Sequence, residues 1–350
     1  LVESCSRRSL GLYINYKHDF RLDGTENVPI NYKWHLRCSC TFIKKTLMKA
    51  LEIKNLSKTY SNNVHALKDI SLSVEKGDFF ALLGPNGAGK STAIGIISSL
   101  VTKNTGQVSI CGVNIDENFP LAKSKLGVVN QEFNFSQFEK VQDTIVTQAG
   151  YYGVDHKTAL EKSEKYLKQM GIWDKKDDTL RELSGGQKRR VMIIKSLIHE
   201  PELLILDEPT AGVDIELRRG LWDFLIDINN AGTTIILTTH YLEEAENLCK
   251  NIAIIDEGKI IENTSMNQLL KQLDSQVFTI ETSSNLPHGF NIPGFDIKVE
   301  NDNKFSVTLT KGSSVSNLFN KPELAQIEVT NIANQTNRLE QLFINLTAKS

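Results

Sequence analysis

The stretch "GPNGAGKST" at residues 84–92 decides the fold of this 350-residue chain. Gly84, Gly89, Lys90 and Ser91 fill the pattern G-x-x-x-x-G-K-[ST], in which glycines let the backbone turn its N–H groups toward an anion. The apolar run "FFALLG" leads into the loop, and the helix-like "STAIGIISSL" follows it. The sequence therefore predicts a phosphate-holding loop between a buried strand and the start of a helix.

Each position of this loop has an expected role. Lys90 supplies positive charge to the β- and γ-phosphates of a nucleotide, and the Ser91 hydroxyl is suited to Mg²⁺. The remaining loop residues, expected to contact the nucleotide, are Pro85, Asn86, Gly87, Ala88 and Thr92.

Two further apolar runs, "LLILDE" at 203–208 and "TIILTTH" at 234–240, read as buried parallel strands. Ligands of open α/β sheets bind at the carboxyl ends of such strands, so Asp207, Glu208 and His240 are expected beside the glycine loop. Asp207 suits Mg²⁺, Glu208 suits a general base for water, and His240 suits a γ-phosphate contact. Gln131, after the strand-like "LGVVN", offers an amide oxygen to metal or water. Taken alone, Asp207-Glu208 is also typical of an acidic helix start, and a lone histidine is more often structural.

A second anion-binding helix start lies in "RELSGGQKRR" at residues 181–190. It precedes a helix whose apolar face is Val191, Ile194 and Leu197 or Ile198. One nucleotide already wrapped by the first loop has little use for another helix terminus of the same chain. A second copy of the protein resolves this, with Ser184 of each copy facing the γ-phosphate held by Lys90 of the other in a two-fold, head-to-tail dimer.

The motifs "GPNGAGKST", "LSGGQ", "LLILDEP" and "TTH", in this order, resemble the ATP-binding cassette (ABC) family of transporter ATPases over roughly residues 50–280. The resemblance implies ATP and Mg²⁺ as ligands, and ATP hydrolysis as the activity. It implies adenine stacking for Tyr60, ATP sensing and contact with the membrane partner for Gln131, a cross-dimer contact for Asp214, and a switch role for His240. The implied signature loop is formed by Ser184, Gly185, Gly186 and Gln187. Val213 stands where leucine is commoner and Asn130 where proline often precedes the glutamine, and neither departure argues against ATP hydrolysis.

The expected fold is α/β, a P-loop NTPase core with a mixed sheet, an antiparallel β subdomain, a helical insert and a small C-terminal α+β appendage. The nucleotide-binding domain is expected at 48–274. The alternating "ALEIKNLSKTY" and "ALKDISLSVEKGD" predict the antiparallel strands. The helical insert is expected at about 132–184, with Leu160, Leu167 and Met170 on one buried helical face.

The two ends of the chain differ from its middle. Residues 275–350 form the expected appendage, in which "QVFTIET" and "KFSVTLT" alternate like strands and "NRLEQLFINLT" has a helical stripe at 339, 342, 343 and 346. This region resembles, on few residues, that of bacterial ABC-2 type exporters. Residues 1–47 lack a sustained period and precede the first methionine, Met48, so they are expected to be a non-native or disordered extension.

Composition and charge argue against some classes of partner. The formal net charge is −2, which gives no reason to expect nucleic acid, and no apolar run approaches the roughly 20 residues of a membrane span. The resemblance therefore implies a separate ABC-2 type permease, with this chain peripheral on the cytoplasmic side of the bacterial inner membrane. Phe133, Phe135 and Phe138 are candidates for the docking surface or, equally, for core packing.

Two other functions stay open at this point. A soluble ATPase of the same superfamily, acting on nucleic acid or ribosomes, is opposed by the short 94-residue separation of Lys90 and Ser184 and by the single cassette. A small-molecule kinase would have no use for "LSGGQ". The sequence does not indicate the transported substrate.

Overall fold

The glycine-loop strand lies inside a six-stranded mixed sheet. The computed structural model describes residues 48–271, 275–287, 289–310, 314–325, 327–334 and 338–347. The predicted extension at 1–47 lies outside these residues. In the sheet, β3 (Phe79–Leu83) pairs in parallel with β8 (Thr234–Thr238) on one side and β9 (Asn251–Asp256) on the other.

The other strands extend this sheet in both directions. β7 (Leu203–Asp207) and β6 (Leu126–Val129) continue it in parallel beyond β8, and β10 (Lys259–Ser265) closes the far edge antiparallel to β9. The side chains of β3 and β8 are buried throughout, because the sheet is covered on both faces. The three apolar runs predicted as buried parallel strands are β3, β7 and β8, and the mixed α/β sheet is confirmed.

An antiparallel sheet packs over one face of this core. Its strands, in sheet order, are β2 (His65–Glu75), β1 (Lys49–Thr59), β4 (Thr105–Ile110) and β5 (Val113–Asn114). Helix α1 (Lys90–Ile97) contributes its buried face to the cluster shared by the two sheets. The predicted antiparallel subdomain therefore forms one wall around the helix that follows the glycine loop.

Most of the remaining helices before residue 271 cover the opposite face of the central sheet, whereas the first of them packs through Ala122 into the same cluster as α1. These helices are α2 (Phe119–Ser124), α3 (Val141–Tyr151), α4 (His156–Gln169), α5 (Gly185–Leu197), α6 (Ile215–Asn230), α7 (Leu242–Leu248) and α8 (Met266–Leu270). Helices α3 and α4 form the expected helical insert and pack against each other and against α5. No helix among the described residues is both long enough and apolar enough to cross a bilayer.

The predicted buried face of α4 is partly wrong. Leu167 and Met170 are buried, whereas Leu160 is 36% exposed. The buried positions are Ala159, Ser163, Tyr166 and Leu167, so the helix is rotated relative to the predicted stripe. Its phase follows from packing against α3 and α5, toward which the buried positions face. The α5 face at Val191, Ile194, Leu197 and Ile198 is buried as predicted.

The C-terminal region contains a four-stranded antiparallel sheet with its own core. The predicted strands are β11 (Ser275–Thr282) and β13 (Lys304–Thr310), which pair directly. The structure adds outer strands β12 (Asp296–Asn301) and β14 (Val329–Asn334), with short helices α9 (Val315–Phe319) and α10 (Pro322–Ala325). The core of this module includes Ile280, Phe305, Val307 and Leu318.

Helix α11 (Arg338–Thr347) belongs to a different core. The predicted stripe exists, but Leu339 and Leu342 pack into the main hydrophobic cluster against α7 and α8, and not into the appendage core. The last helix therefore returns to the nucleotide-binding domain, while the boundary expected at 275 stays a prediction.

Glu202, directly before β7, connects its own segment to two others through partly exposed ion pairs. Lys76 and Lys125 each place Nζ 2.5 Å from a Glu202 carboxylate oxygen. These two bonds, the one from Lys125 first, lower the pKa of Glu202 to about 2. Since the folded pKa lies below the usual value, the stabilisation is present above about pH 4.5 and is lost as the pH falls toward 2.

We expect Glu202→Gln to lower the free energy of unfolding by about 1 kcal/mol at pH 7, the upper range for solvent-screened pairs. The difference should shrink between pH 4.5 and 2, because the wild-type carboxylate becomes protonated there. Urea unfolding followed by circular dichroism over this pH range measures it. Glu200→Gln is the control, since Glu200 has one ion pair and is 60% exposed. A pH-independent difference would contradict the assignment.

Candidate active site

The glycine loop between β3 and α1 is held in close backbone contact with two other segments. A Cβ added at Gly84 would lie 2.2 Å from the carbonyl oxygen of Ile255, and one at Gly89 would lie 2.6 Å from that of Ala66. Gly89 also has φ +112°, in the left-handed region. No other residue type fits at these positions, so both glycines are required by the packing of the loop.

Lys90, the first residue of α1, folds its side chain back over this loop. Its Nζ donates hydrogen bonds to the carbonyl oxygens of Gly84 at 2.6 Å and Pro85 at 3.0 Å. Burial lowers the pKa of Lys90, and the charges of Glu208 and Asp207 act in the opposite direction. The loop therefore carries a partly buried positive charge that faces two carboxylates.

The two carboxylates follow from the end of β7. Asp207 is opposite Thr238 in the β7–β8 register, and the Thr238 hydroxyl donates a hydrogen bond to its carboxylate. Glu208 leaves the strand with φ +50°, an uncommon conformation for a non-glycine residue, and its N–H donates to the Thr238 carbonyl oxygen at 3.0 Å. β8 thus fixes the direction of both carboxylates.

Gln131 and His240 hold Glu208 from two sides. The Gln131 Nε2 donates to Glu208 Oε2 at 3.0 Å, and His240 Nδ1 lies 3.4 Å from Glu208 Oε1. The Glu208 side chain is 15% exposed, whereas that of His240 is 53% exposed. Glu208 is therefore the better shielded of the two and is contacted through both of its oxygens.

These groups line one cleft of about 610 Å³. The predicted convergence of glycine loop, acids, glutamine and histidine is thus found in the structure. The cleft is lined by Asn86, Gly87, Gly89, Lys90, Ser91, Thr92, Gln131, Asp207, Glu208 and His240. Pro85 and the buried Ala88 belong to the loop without lining the cleft.

Tyr60 lies beside the loop. Its hydroxyl is 3.3 Å from Thr92 Oγ1, and Lys58 Nζ lies 5.1 Å from the centre of its ring. The residue is 37% exposed. An aromatic face next to the loop is available for stacking on a base.

The second anion-binding helix start lies elsewhere. Ser184 is the N-cap of α5, where its hydroxyl accepts from the Gln187 N–H at 3.3 Å and its own N–H donates to Gln187 Oε1 at 2.9 Å. Ser184 and Gly185 are exposed, and so is Asp214, the N-cap of α6. None of the residues 184–187 and 214 lines the cleft, so this part of the prediction concerns a surface outside it.

Three residues next to the site were not predicted. Thr238 orients Asp207, as described above. Arg189 donates to the backbone carbonyls of Asn130 and Gln131, both at 2.8 Å. Glu244 is fully buried and accepts from Thr210 Oγ1 at 3.2 Å and Trp222 Nε1 at 3.0 Å, and burial raises its pKa. In the sequence each is only a polar residue within or near a motif, which does not identify its partner.

The arrangement can bind and cleave a phosphoanhydride. The glycine loop and the ammonium group of the lysine are suited to bind a polyphosphate. The shielded carboxylate of Glu208, between an amide and an imidazole, is suited to act as the general base for an attacking water. The fold and cleft together define a P-loop nucleotide hydrolase.

Comparison with known proteins specifies the class further. The ABC transporter family model matches residues 67–211. Linearmycin resistance ATP-binding protein LnrL of Bacillus subtilis (strain 168) is 33% identical over 308 residues, covering 86% of this chain and 99% of that protein. Nod factor export ATP-binding protein I of Cupriavidus metallidurans is 36% identical over 227 residues, covering 65% of this chain and 74% of that protein.

A solved structure described as the ATP-binding subunit of an ABC transporter is 26% identical, with a TM-score of 0.60, covering 64% of this chain and 92% of that one. The chain therefore belongs to the ABC transporter family, as an ATP-binding subunit that hydrolyses ATP. Subunits of this class dimerise and work with a membrane permease. The 308-residue match to LnrL is longer than the 274 residues before the appendage, so the likeness includes part of the C-terminal region.

We expect Lys90→Met to weaken ATP binding at least about tenfold, because the variant removes the ammonium that faces the phosphates. Isothermal titration calorimetry with ATP measures the dissociation constant. Lys103→Met is the control, since Lys103 forms an ion pair with Asp116 and does not line the cleft. Equal affinity of Lys90→Met and wild type would contradict the role of this lysine.

Proposed function

We propose that this chain is the motor subunit of an exporter whose permease is of the ABC-2 type, and that two copies enclose ATP head to tail. The proposal depends on one observation. The hydrolytic groups converge on one cleft, while the second anion-binding helix start at Ser184 is exposed outside it. Each copy thus has an almost complete site and a spare surface suited to complete the site of another.

In the proposed mechanism, Glu208 is the general base. Its carboxylate accepts the proton of a water that attacks the γ-phosphate, while Gln131 holds one carboxylate oxygen and His240 lies beside the other. Lys90 and the N–H groups at the start of α1 balance the charge of the phosphates. Tyr60 stacks on the adenine. Because Glu208 is shielded from solvent, its orientation depends on these neighbours.

The donor set beside the loop fits Mg²⁺. The Ser91 hydroxyl, Asp207 carboxylate and Gln131 amide are oxygen ligands around one cleft, and Mg²⁺ characteristically uses few protein ligands together with phosphate oxygens. Among the described residues, no cluster of three or more His, Cys, Asp or Glu could hold a metal by itself, which agrees with a nucleotide-borne ion. When bound, the ion would neutralise charge on the β- and γ-phosphates.

The proposed dimer uses the exposed helix start. Ser184, Gly185, Gly186 and Gln187 of one copy would face the γ-phosphate bound by the other, and Asp214 would lie across the interface. An added Cβ at Gly185 would meet nothing within 4 Å, so the backbone there is open to approach by a ligand. The self-bonded cap of Ser184 and Gln187 holds the N–H groups of α5 in place before a ligand arrives.

The proposed permease surface lies after Gln131. Phe138 is 78% exposed and Phe133 is 45% exposed, whereas Phe135 packs against the main core. The two exposed rings thus favour docking, and Phe135 favours packing. Contact with a permease would place this chain peripherally, on the cytoplasmic side of the bacterial inner membrane. Export, rather than import, is supported by the name of the Nod factor export relatives.

We expect Glu208→Gln to keep ATP affinity within about twofold of wild type, to lower kcat at least about 100-fold, and to trap a dimer in saturating Mg-ATP. The amide keeps the shape of the side chain but cannot accept the water proton. Calorimetry, phosphate release and light scattering after size-exclusion chromatography measure the three effects.

The control for trapping is Glu208→Gln combined with Ser184→Arg. The added side chain blocks the exposed helix start without entering the cleft, so this variant should bind ATP and remain monomeric. A Glu208→Gln protein that stays monomeric in saturating Mg-ATP would contradict the enclosed dimer.

We further expect Thr238→Val to raise the Mg²⁺ concentration for half-maximal ATPase about tenfold. Valine has the shape of threonine but removes the hydrogen bond that orients Asp207, a loss of roughly 1.5 kcal/mol for a bond to a charged group. Magnesium titration of phosphate release measures it. Thr238→Ser retains the hydroxyl and should need the same Mg²⁺ concentration as wild type. An unchanged Mg²⁺ requirement in Thr238→Val would contradict the role of Asp207 in binding the metal.

A further inference from the structure

Arg189 is a buried charge at the start of the second turn of α5. Only 4% of the residue is exposed. Its Nη1 and Nη2 donate to the carbonyl oxygens of two successive residues, Asn130 and Gln131, each at 2.8 Å, while its Nε is buried without a partner. The guanidinium thus binds the backbone directly after the end of β6.

Burying the Arg189 charge costs more free energy than a purely structural contact would justify. No ion pair to a carboxylate is found for it among the described residues, although Asp207 and Glu208 partly offset the fall of its pKa on burial. The guanidinium also lies 5.3 Å from the centre of the Phe133 ring. Even so, a buried cation held by neutral groups is a poor source of stability compared with an apolar side chain of similar size. Its presence is better explained by the geometry that it imposes.

That geometry controls the Glu208 contact. The Gln131 side chain is exposed, so burial does not fix it, yet its Nε2 lies 3.0 Å from Glu208 Oε2. The position of this amide depends on its backbone, and Arg189 holds the backbone through the Gln131 carbonyl itself. Two successive hydrogen bonds therefore lead from α5 to Glu208, from Arg189 to the Gln131 carbonyl and from the Gln131 amide to the Glu208 carboxylate.

We propose that Arg189 is a positioning residue for ATP hydrolysis, which fixes the Asn130–Gln131 backbone so that the Gln131 amide orients Glu208. The proposal rests on the proposed role of Glu208 as general base. It adds a residue that touches neither nucleotide nor water and acts through another side chain.

The neighbouring Arg190 provides a matched control. It lies on the same helix and donates Nη1 to the Met170 carbonyl at 2.9 Å, which ties α5 to the helical insert and not to the cleft. Burial lowers its pKa as well. Both arginines thus connect α5 to a backbone carbonyl, and only Arg189 reaches the segment that holds Glu208.

The test compares Arg189→Met with Arg190→Met in the full chain. Arg189→Met should lower kcat about 10- to 100-fold, the scale expected for a misplaced catalytic group, with KM and the ATP dissociation constant within about twofold. Arg190→Met should lower the melting temperature to a similar extent but keep kcat within about twofold. An unchanged kcat in Arg189→Met, or an equal loss of kcat in both variants, would overturn the proposal.

A double-mutant cycle keeps the test decisive if Arg189→Met does not fold. Arg189→Lys retains the charge but cannot span both carbonyls, and it should lower kcat about threefold or more. In a Gln131→Ala background the same change should have almost no further effect, because the lost contact is shared. Additive losses would mean a general structural role and would overturn the proposal. Trapping by Glu208→Gln reports separately on the proposed function, so the two failures are distinguishable.

Discussion

The site depends on the close approach of three backbone segments around the glycine loop. Gly84 lies against the Ile255 carbonyl at the end of β9, and Gly89 lies against the Ala66 carbonyl of the antiparallel sheet. The loop is thus held between the central sheet and the subdomain that packs over it. Any side chain at either glycine would separate these segments, and the start of α1 would move with them. The direction of Lys90 and of the helix N–H groups is therefore a property of the whole core.

The same arrangement explains why acids and amides meet opposite the lysine. β3, β8, β7 and β6 are neighbours and run in parallel, so their carboxyl ends share one edge of the sheet. Each strand delivers a different group there: the loop, His240, the Asp207–Glu208 pair and Gln131. The result is a cleft in which positive charge on one side faces a shielded carboxylate on the other. The groups that remain outside it, Ser184 and Asp214, are exposed helix caps.

The sequence predicted those parts of the site that are formed by contiguous residues. "GPNGAGKST", "LLILDE" and "TIILTTH" each combine a strand with its terminal chemistry, and parallel pairing then brings the ends together. It was uninformative where a role depends on contact between distant segments. Nothing local distinguishes Arg189 from Arg190, because their partners, Gln131 and Met170, lie 58 and 20 residues away. The rotation of α4, which leaves Leu160 exposed, likewise depends on packing against other helices.

The return of α11 to the main core changes how the C-terminal region should be described. α8 precedes the four-stranded module, α11 follows it, and these two helices pack on each other beside α7. The module therefore leaves and re-enters the nucleotide-binding domain at one place, as an inserted loop does. Its removal by a premature stop after α8 would also strip Leu339 and Leu342 from the ATPase and expose an apolar seam. An excision that rejoins α8 to α11 would leave these apolar residues covered, so the module and the last helix are structurally separable parts.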